Sequence, residues 1–230
     1  MSKIWMIVGA AIVIVAVGAA VWFGLSRTAE RPALMQGSGA GTSSPGSEVA
    51  TPSTSEADLK QGDRILGDPA APVTVIEYAS LTCPHCANFH TITLPKLESE
   101  YIEAGKVKLV FRHFPLDQLA LRAAGLAQCM PPERYFGFLA MLFESQSSWA
   151  TAQDPLAALA RLGRTAGLDD TEIESCLSDD AKLDEIVSER LVAEQTYSIS
   201  STPSFVIDGQ KYSGALTMEQ LQEIIDPMLP

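Results

Sequence analysis

The pattern of apolar and polar positions predicts a central strand, another strand and a short edge strand. Val73 to Ala79 is apolar at odd and even positions apart from Thr74 and Glu77, which is typical of a strand covered on both faces of a sheet. Lys106 to Phe114 alternates well enough for a second strand, and residues 64–66 predict a short edge strand. The pattern therefore places a buried acid, Glu77, inside a central strand.

A change to helical spacing follows the strand at 73–79 and again the strand at 106–114. A helix is predicted from Cys83 to about Gly105, and Pro95 inside it should kink it. From about residue 116 to residue 198, apolar residues recur at three- and four-residue spacing, which indicates a block of helices. The predicted segments in this block are Asp117–Ala127, Pro132–Ser145, Pro155–Ala166 and Ala181–Tyr197.

The end of the chain returns to a sheet pattern. Asp208-Gly209 separates Ser204–Ile207 from a second short strand, Gln210-Lys211-Tyr212, and Asp-Gly between two strands predicts a hairpin. Residues 218–229 predict a closing amphipathic helix, which Thr217 and Gln220 would cap reciprocally. The order of elements predicts an α/β fold: a compact sheet with helices on its faces and a helical insertion.

The candidate chemistry lies in Cys83-Pro84-His85-Cys86, at the start of the first helix. Residues three apart share a face of a helix, so the two sulfurs can bond with little backbone movement. The unpaired N–H groups and partial positive charge of a helix N-terminus favour a thiolate, which marks Cys83 as the nucleophile and as the exposed thiol. Pro84 suits the first turn, and His85 can add positive charge or a hydrogen bond to the sulfur.

Other roles for two close cysteines fit the sequence less well. A structural zinc site usually takes four ligands, but Cys129 and Cys176 stand apart from the C-x-x-C motif and from each other. Haem attachment needs a histidine after the second cysteine, and Ala87 follows Cys86. A structural disulfide within one helical turn would be strained and easily reduced, which suits a catalyst better. The motif therefore predicts redox chemistry, with metal binding and a structural bond as alternatives.

The N-terminal quarter of the chain predicts a membrane anchor and a tether. Residues 4–25 carry no charge and reach the ~20 residues that cross a bilayer, which predicts a transmembrane signal anchor over residues 1–25. A cleaved signal peptide is the alternative. Residues 26–58 are rich in Ser, Thr, Gly and Pro, which predicts a disordered linker. Residues 59–230 would form the folded domain, with the helical insertion at about 116–198.

Charge and cysteine content narrow the partners and the compartment. The formal net charge is −12 and no Lys/Arg cluster exists, so nucleic acid is not expected as a partner. Four cysteines following an export-type segment favour an oxidising compartment. The predicted location is the bacterial envelope, with the catalytic domain anchored to the inner membrane and facing the periplasm, or secreted to the periplasm if the segment is cleaved.

From residue 59 onwards, the chain resembles the DsbA-like branch of the thioredoxin fold. The resemblance rests on Cys83-Pro84-His85-Cys86, on the helical insertion, and on Thr202-Pro203 directly before the strand that begins at Ser204. It implies that Pro203 follows a cis peptide bond, lies against the dithiol and, with Thr202, presents backbone to the substrate. Thr202 stands where the best-known oxidases of this family have valine, while isomerase relatives often have threonine.

The resemblance also gives Glu77 a role. In the family, an acid at this position lies under the dithiol and relays protons to the inner cysteine, here Cys86. The alternative is a structural acid paired with Lys108 or Arg112. His90 and His113 have no partner at metal-ligand spacing and are expected to be ordinary boundary residues, so no metal site is predicted.

The resulting hypothesis is a thiol–disulfide oxidase that introduces disulfides into exported proteins with free thiols. It needs no bound cofactor and would be reoxidised by a quinone-coupled membrane enzyme resembling DsbB. The alternatives are an isomerase or reductase of the same fold, and a membrane-tethered copper- or zinc-binding module.

Cys129 and Cys176 remain outside this chemistry. In an oxidising compartment two free thiols would not be expected to stay free, which predicts a structural Cys129–Cys176 disulfide that restrains the insertion. The alternative is two buried, reduced cysteines that pack as small apolar residues.

Overall fold

The computed structural model describes residues 58–230, and these contain a five-stranded sheet with helices. The strand order across the sheet is β1-β3-β2-β4-β5. The strands are β1 Arg64–Leu66, β2 Val73–Ala79, β3 Val107–His113, β4 Ser204–Ile207 and β5 Gln210–Ser213. The predicted anchor (1–25) and nearly all of the predicted linker (26–58) lie outside the described residues. Within the described residues, no helix is long and apolar enough to cross a membrane.

The two central strands, β2 and β3, are buried along their whole length. The continuous apolar run of β2 predicts this burial, whereas the alternating pattern of β3 does not. Strands β2 and β3 are parallel, whereas the β1–β3, β2–β4 and β4–β5 pairs are antiparallel. Glu77 is opposite Phe111 on one side and Phe205 on the other. The sheet therefore holds this acid in its interior, near the end of β2 from which the dithiol loop leaves.

The helix after β2, here α1, covers residues 84–102 in four consecutive segments. Two α-helical segments, Pro84–Asn88 and Leu94–Leu97, alternate with two π-helical segments, Phe89–Thr93 and Glu98–Ile102. Pro95 has no N–H to give to the helix, and the neighbouring Leu94 N–H reaches back five residues to Phe89 O. The expected disturbance of the helix thus takes the form of widened turns around Pro95.

Six helices form the insertion, two more than the spacing predicts. They are α2 Gln118–Gln128, α3 Pro132–Glu144, α4 Gln146–Ala150, α5 Pro155–Thr165, α6 Asp170–Ser178 and α7 Asp180–Tyr197. The helix α4 is too short to show a period. The helix α6 buries only Ile173 and Cys176 and begins with a capping box between Asp169 and Glu172, so its signal is the cap and not an apolar stripe.

The closing hairpin and helix follow the sequence closely. Asp208 and Gly209 both have positive φ, 48° and 73°, as a tight Asp-Gly hairpin turn requires. The capping box of Thr217 and Gln220 starts α8, Met218–Ile225. This helix ends before the predicted residue 229 because Pro227 cannot continue it, and a 3-10 turn, Asp226–Met228, follows.

Candidate active site

The dithiol loop places Cys83 immediately before α1, at the N-cap position. Cys83 has an extended backbone, φ −81° and ψ 119°, and its N–H donates to Ser80 O at 3.1 Å, which closes a tight turn after β2. Pro84 is the first helical residue, where its missing N–H costs no hydrogen bond. The first free N–H groups of the helix are therefore directed towards the Cys83 sulfur.

The Cys83 thiol is strongly acidified. A hydrogen bond from the Cys86 thiol and hydrogen bonds from the backbone N–H groups of Cys86 and His85 lower the pKa of Cys83 to about 5, against the opposing effect of burial. Its sulfur is also 3.4 Å from Thr202 O. Cys83 is only 6% exposed, so the prediction of an exposed thiol is wrong in degree, although Cys83 remains the more accessible thiol of the pair.

Cys86 has the opposite environment. Its side chain is fully buried, and desolvation raises the pKa of its thiol far above the ordinary range, with the hydrogen bond to Cys83 and the negative charge of Glu77 acting in the same direction. Both Cys83 and Cys86 are free thiols in this structure. The site therefore separates its two sulfurs into a ready thiolate and a thiol that holds its proton.

The two residues between the cysteines are exposed. Pro84 and His85 both lie at the surface, whereas the cysteines that flank them are buried. His85 acts on the Cys83 thiol through its backbone N–H. Its imidazole is free to meet a partner at the rim of the site.

The resemblance predicts that Thr202-Pro203 lies beside the dithiol, and the structure brings the two together. The Thr202–Pro203 peptide bond is cis, and Thr202 O faces the Cys83 sulfur. Pro203 O accepts a hydrogen bond from Gly214 N–H at 2.9 Å, which ties the loop to the end of the hairpin. The Thr202 hydroxyl is buried and has no hydrogen-bond partner among the described residues.

Glu77 is fully buried, and its partner is a residue that the sequence pattern did not suggest. Its Oε2 lies 2.9 Å from Nε2 of His90, and its Oε1 has no partner among the described residues. The suggested pairing with Lys108 or Arg112 is wrong. Lys108 Nζ donates to Pro69 O, and Arg112 pairs with Asp63 and Tyr78.

The two histidines expected at the boundary of the fold are both buried. His90 pairs with Glu77 inside the core, and His113 Nε2 forms a hydrogen bond of 3.0 Å with the Tyr135 hydroxyl. Complete desolvation lowers the pKa of His113 to about 3, so this ring stays neutral. No spacing along the chain indicates either contact, because the two partners of each pair lie in different elements.

Sequence reasoning also missed Gln146, which holds the dithiol loop from the insertion. Its Nε2 donates to Leu81 O at 2.8 Å and to Cys83 O at 3.0 Å. Nearby, the Thr82 hydroxyl donates to Asp117 Oδ2 at 2.6 Å. A single glutamine between two helical segments carries no motif, so only the three-dimensional arrangement reveals its role.

Cys129 and Cys176 are joined by a disulfide, with a Cα–Cα separation of 6.2 Å. Cys129 follows α2 and Cys176 lies in α6, so the bond links two helices of the insertion. Lys182 Nζ is 3.1 Å from the Cys129 sulfur. Within residues 58–230, no group of three or more His, Cys, Asp or Glu side chains could hold a metal ion.

Comparison with known proteins places this site in a family. A family model described as Thioredoxin matches residues 59–227. The crystal structure of alpha-DsbA1 from Wolbachia pipientis superposes with a TM-score of 0.70 at 35% identity, covering 76% of this chain and 95% of that chain. The chain belongs to the thioredoxin family, in its DsbA-like branch. The expected fold, a thioredoxin fold with a helical insertion, is confirmed for the described residues.

Two further relatives show the range of names in this branch. A curated protein of Rickettsia bellii, named as a protein-disulfide oxidoreductase, is 30% identical over 152 residues, covering 66% of this chain and 59% of that protein. A protein-disulfide isomerase from Novosphingobium aromaticivorans has a TM-score of 0.64 at 27% identity, covering 74% of this chain and 99% of that chain. The chain spans about three fifths of the length of the curated Rickettsia relatives.

Proposed function

We propose that this DsbA-like chain is a dithiol oxidase that transfers the Cys83–Cys86 disulfide to exported proteins. The observation that carries the proposal is the pair of opposite pKa shifts at the two sulfurs. The pKa of Cys83 is lowered to about 5, while burial raises that of Cys86. A stabilised Cys83 thiolate favours the reduced enzyme, and a disulfide whose reduced form is stabilised is a strong oxidant.

The reaction begins with a substrate thiolate. It attacks the Cys83 sulfur of the oxidised protein, forms a mixed disulfide and releases Cys86 as a thiolate. Because Cys86 is fully buried, that thiolate takes up a proton. Glu77, whose charge acts on the Cys86 thiol, passes this proton to it. A second substrate thiolate then attacks the substrate sulfur of the mixed disulfide and expels Cys83 as a thiolate. The two substrate thiols are oxidised and the enzyme disulfide is reduced.

Substrate backbone would lie along the cis-proline loop. Thr202 O faces Cys83 at 3.4 Å and the Thr202–Pro203 bond is cis, so a peptide joined to Cys83 has backbone groups of Thr202 and Pro203 within reach. Pro84 and His85 form the exposed rim on the other side. In this proposal Thr202 and Pro203 bind the substrate, while Cys83, Pro84, His85, Cys86 and Glu77 carry out the exchange.

The partners and the location are part of the same proposal. The enzyme is held at the inner membrane by residues 1–25, with its catalytic domain in the periplasm. A quinone-coupled, DsbB-like membrane protein removes the electrons and restores the Cys83–Cys86 disulfide. The net charge of −12 argues against nucleic acid as a further partner.

The reduction potential and the substrate assay test the proposal together. Equilibration with glutathione of defined redox state should give a potential nearer that of DsbA, about −120 mV, than that of thioredoxin, about −270 mV. The oxidised protein should also form disulfides in a reduced, unfolded protein, and Cys83→Ser should abolish this activity. A potential near that of thioredoxin would contradict the oxidase and favour a reductase.

Disulfide isomerisation is the second candidate, and Thr202 is the observation that favours it. Its hydroxyl has no partner among the described residues, so it is available to the Cys83 sulfur or to the substrate. An isomerase would need the reduced protein to restore activity to a scrambled, fully disulfide-bonded substrate. If the reduced protein reactivates the scrambled substrate and the disulfide form oxidises a reduced substrate only weakly, the protein is an isomerase and the oxidase proposal is rejected.

A further inference from the structure

The His90 ring is fixed in one orientation behind the dithiol. It stacks on Phe143 with ring centroids 4.0 Å apart, and it meets Phe89 and Phe111 edge-on at 5.7 Å and 5.6 Å. Only 3% of its side chain is exposed. These aromatic contacts hold Nε2 at 2.9 Å from Glu77 Oε2. Since His90 is four residues after Cys86 in α1, the buried thiol and the ring lie about one helical turn apart.

His90 is one of the residues that line a cavity of about 370 Å³. The residues around it include Pro95, Gly137 and Ala140, which are all exposed, so the cavity is open to solvent. Neither Cys83 nor Pro203 lines it. Water can therefore approach the Glu77–His90 pair by a route separate from the substrate side of the dithiol.

The proposed reaction creates a need for such a route. Cys86 gains a proton when its disulfide is reduced and loses it when the disulfide is re-formed, yet Cys86 and Glu77 are both fully buried. A mixed disulfide at Cys83 would cover the substrate side at the moment when the proton is required. Glu77 Oε1 has no partner among the described residues, which leaves it able to exchange a proton with a nearby group.

We propose that His90 passes protons between this cavity and Glu77, and so sets the rate at which Cys86 changes its protonation state. The inference rests on the proposed dithiol exchange. During reduction, His90 Nε2–H gives a proton to the Glu77 carboxylate as the ring takes one at Nδ1 from water in the cavity, and Glu77 passes a proton to the Cys86 thiolate. The hydroxide left from the water returns to solvent, and Glu77 ends as the carboxylate again. Reoxidation runs the same transfers in reverse. No electron moves through His90, which is a positioning and proton-transfer residue and does not touch the substrate.

The other titratable groups around the ring are compatible with this role. Glu98 from α1 and Glu144 from α3 line the cavity, so its wall carries groups that can exchange protons with the water in it. From β3 the ring meets only the uncharged Phe111, and His113 beyond it stays neutral because burial lowers its pKa to about 3. Within the described residues, Glu77 is thus the one acid that His90 contacts directly.

The test follows a single turnover with glutathione, which needs only the Cys83–Cys86 pair. Oxidised protein is mixed with reduced glutathione, and reduced protein with glutathione disulfide, over a range of pH. Reactions are quenched with acid, alkylated and weighed by mass spectrometry. His90→Gln keeps an N–H donor for Glu77 but cannot relay a proton. This variant should slow the reduction and the reoxidation of the dithiol by about tenfold, which is less than the ~10²–10⁴-fold lost with a directly acting acid or base. The dependence of both rates on pH should also become flatter.

Two further variants separate proton transfer from packing. Ile92→Gln introduces the same side chain on the same π-helical segment at a position that is 55% exposed, and it should behave as wild type. His90→Ala leaves a space next to the cavity, so added imidazole should restore part of its rate in proportion to its concentration. The pKa of Cys83 and the melting temperature are also measured for His90→Gln. A purely structural role of His90 would change these two quantities and leave the exchange rates and their pH dependence as in the wild type.

Equal rates for wild type and His90→Gln at every pH would overturn the inference, and the oxidase proposal would remain. Failure of imidazole to restore a folded His90→Ala variant would also overturn it. If the wild type exchanges with glutathione but does not oxidise a reduced protein, the oxidase proposal fails, while the comparison of His90 variants still decides the proton route.

Discussion

Two sulfurs three residues apart in one helix have pKa shifts of opposite sign, and burial with hydrogen bonding explains both. Cys83, at the N-cap, receives hydrogen bonds from N–H groups that would otherwise be unpaired. Cys86, one turn inside, receives almost none of this stabilisation and loses all contact with water. The helix terminus therefore determines which sulfur is the leaving group and which must exchange a proton.

The first prediction concerns the pH dependence of stability in the reduced protein. The folded-state pKa of Cys83, about 5, lies below its unfolded value near 9.0, so the folded state holds the thiolate better. The stabilisation is complete above pH 9.0, declines as the pH falls through this window, and is absent below about pH 5. Cys86, whose pKa is raised, works against folding only above pH 9.0, where the unfolded thiol ionises.

Urea unfolding of the reduced and the oxidised protein measures this effect. The free energy of unfolding of the reduced protein, minus that of the oxidised protein, should decrease steadily between about pH 9 and about pH 5. When the free energy of unfolding of the Cys83→Ser variant replaces that of the reduced wild type in this difference, the decrease between about pH 9 and about pH 5 should be absent. A constant difference across the window would show that the Cys83 thiolate is not stabilised, and would remove the basis of the oxidase proposal.

The second prediction concerns Glu77. Glu77→Gln keeps the size of the side chain and a hydrogen-bonding partner for His90, but it removes the group that exchanges a proton with Cys86. Single-turnover exchange with glutathione should slow by roughly 10²-fold, as expected for loss of a positioned acid–base group. The thiolate absorbance titration of Cys83 should change little. Wild-type rates over the whole pH range would assign Glu77 a purely structural role.

At the scale of elements, the dithiol loop is restrained from both sides. Thr202 O, just before β4, faces the Cys83 sulfur. On the other side, the Gln146 amide at the start of α4 donates hydrogen bonds to two carbonyl groups of the loop. Buried carbonyl groups without partners are costly, so Gln146 stabilises the conformation that aims the N–H groups of α1 at the sulfur. The insertion therefore contributes directly to the geometry of the active site.

The third prediction tests this contribution with Gln146→Met, which is similar in volume and lacks the donor. The buried Leu81 O loses the donor that Gln146 supplies, and Cys83 O keeps only its hydrogen bond from Ala87 N–H, so the free energy of unfolding should fall by about 1–3 kcal/mol. The pKa of Cys83 should rise as the loop loosens. Ser147→Ala, at the exposed neighbouring position, is the matched control. A destabilised variant with an unchanged Cys83 pKa would limit Gln146 to a role in stability.

The sequence predicted the elements whose signals are local. The bounds of β2 follow from its continuous apolar run, the hairpin from Asp208-Gly209, and the start of α8 from its capping box, because each depends on neighbouring residues only. The dithiol could be located for the same reason. The Glu77–His90 pair could not be predicted, because it depends on how far α1 turns over the sheet before His90, which lies in the π-helical segment Phe89–Thr93.

Gln146 and the cavity beside His90 depend on distant parts of the chain. Gln146 is more than sixty residues from the carbonyls that it binds, and α4 is too short to show a periodic pattern. The cavity lies between α1 and α3, so neither segment indicates it alone. Gln146 and the cavity belong to the site because of contacts between distant parts of the chain, which residue type alone does not indicate.

At the scale of the whole described domain, the Cys129–Cys176 disulfide encloses the part of the insertion that holds the dithiol loop. The closed loop covers a sequence separation of 47 residues and contains α3, α4 and α5, and therefore Gln146. Lys182, at the start of α7, contacts the Cys129 sulfur and ties the next helix to the same point. The bond thus restrains the support of the active site without lying in it.

The last prediction follows from this arrangement. A double variant, Cys129→Ala with Cys176→Ala, removes the cross-link and leaves Cys83 and Cys86 in place. The chain-entropy model gives a loss of up to about 4 kcal/mol in the free energy of unfolding for a loop of this length. Hydrogen exchange followed by mass spectrometry should show faster exchange first in the insertion, from α3 to α6, while β2 and β3 stay protected as the buried centre of the sheet. Because the loosened segment includes Gln146, the pKa of Cys83 should rise in the same direction as in Gln146→Met, but by less, since the hydrogen bonds themselves remain. Exchange that increases equally in the sheet and the insertion would contradict this arrangement, because the disulfide would then stabilise the domain as one unit and not the helical support of its dithiol.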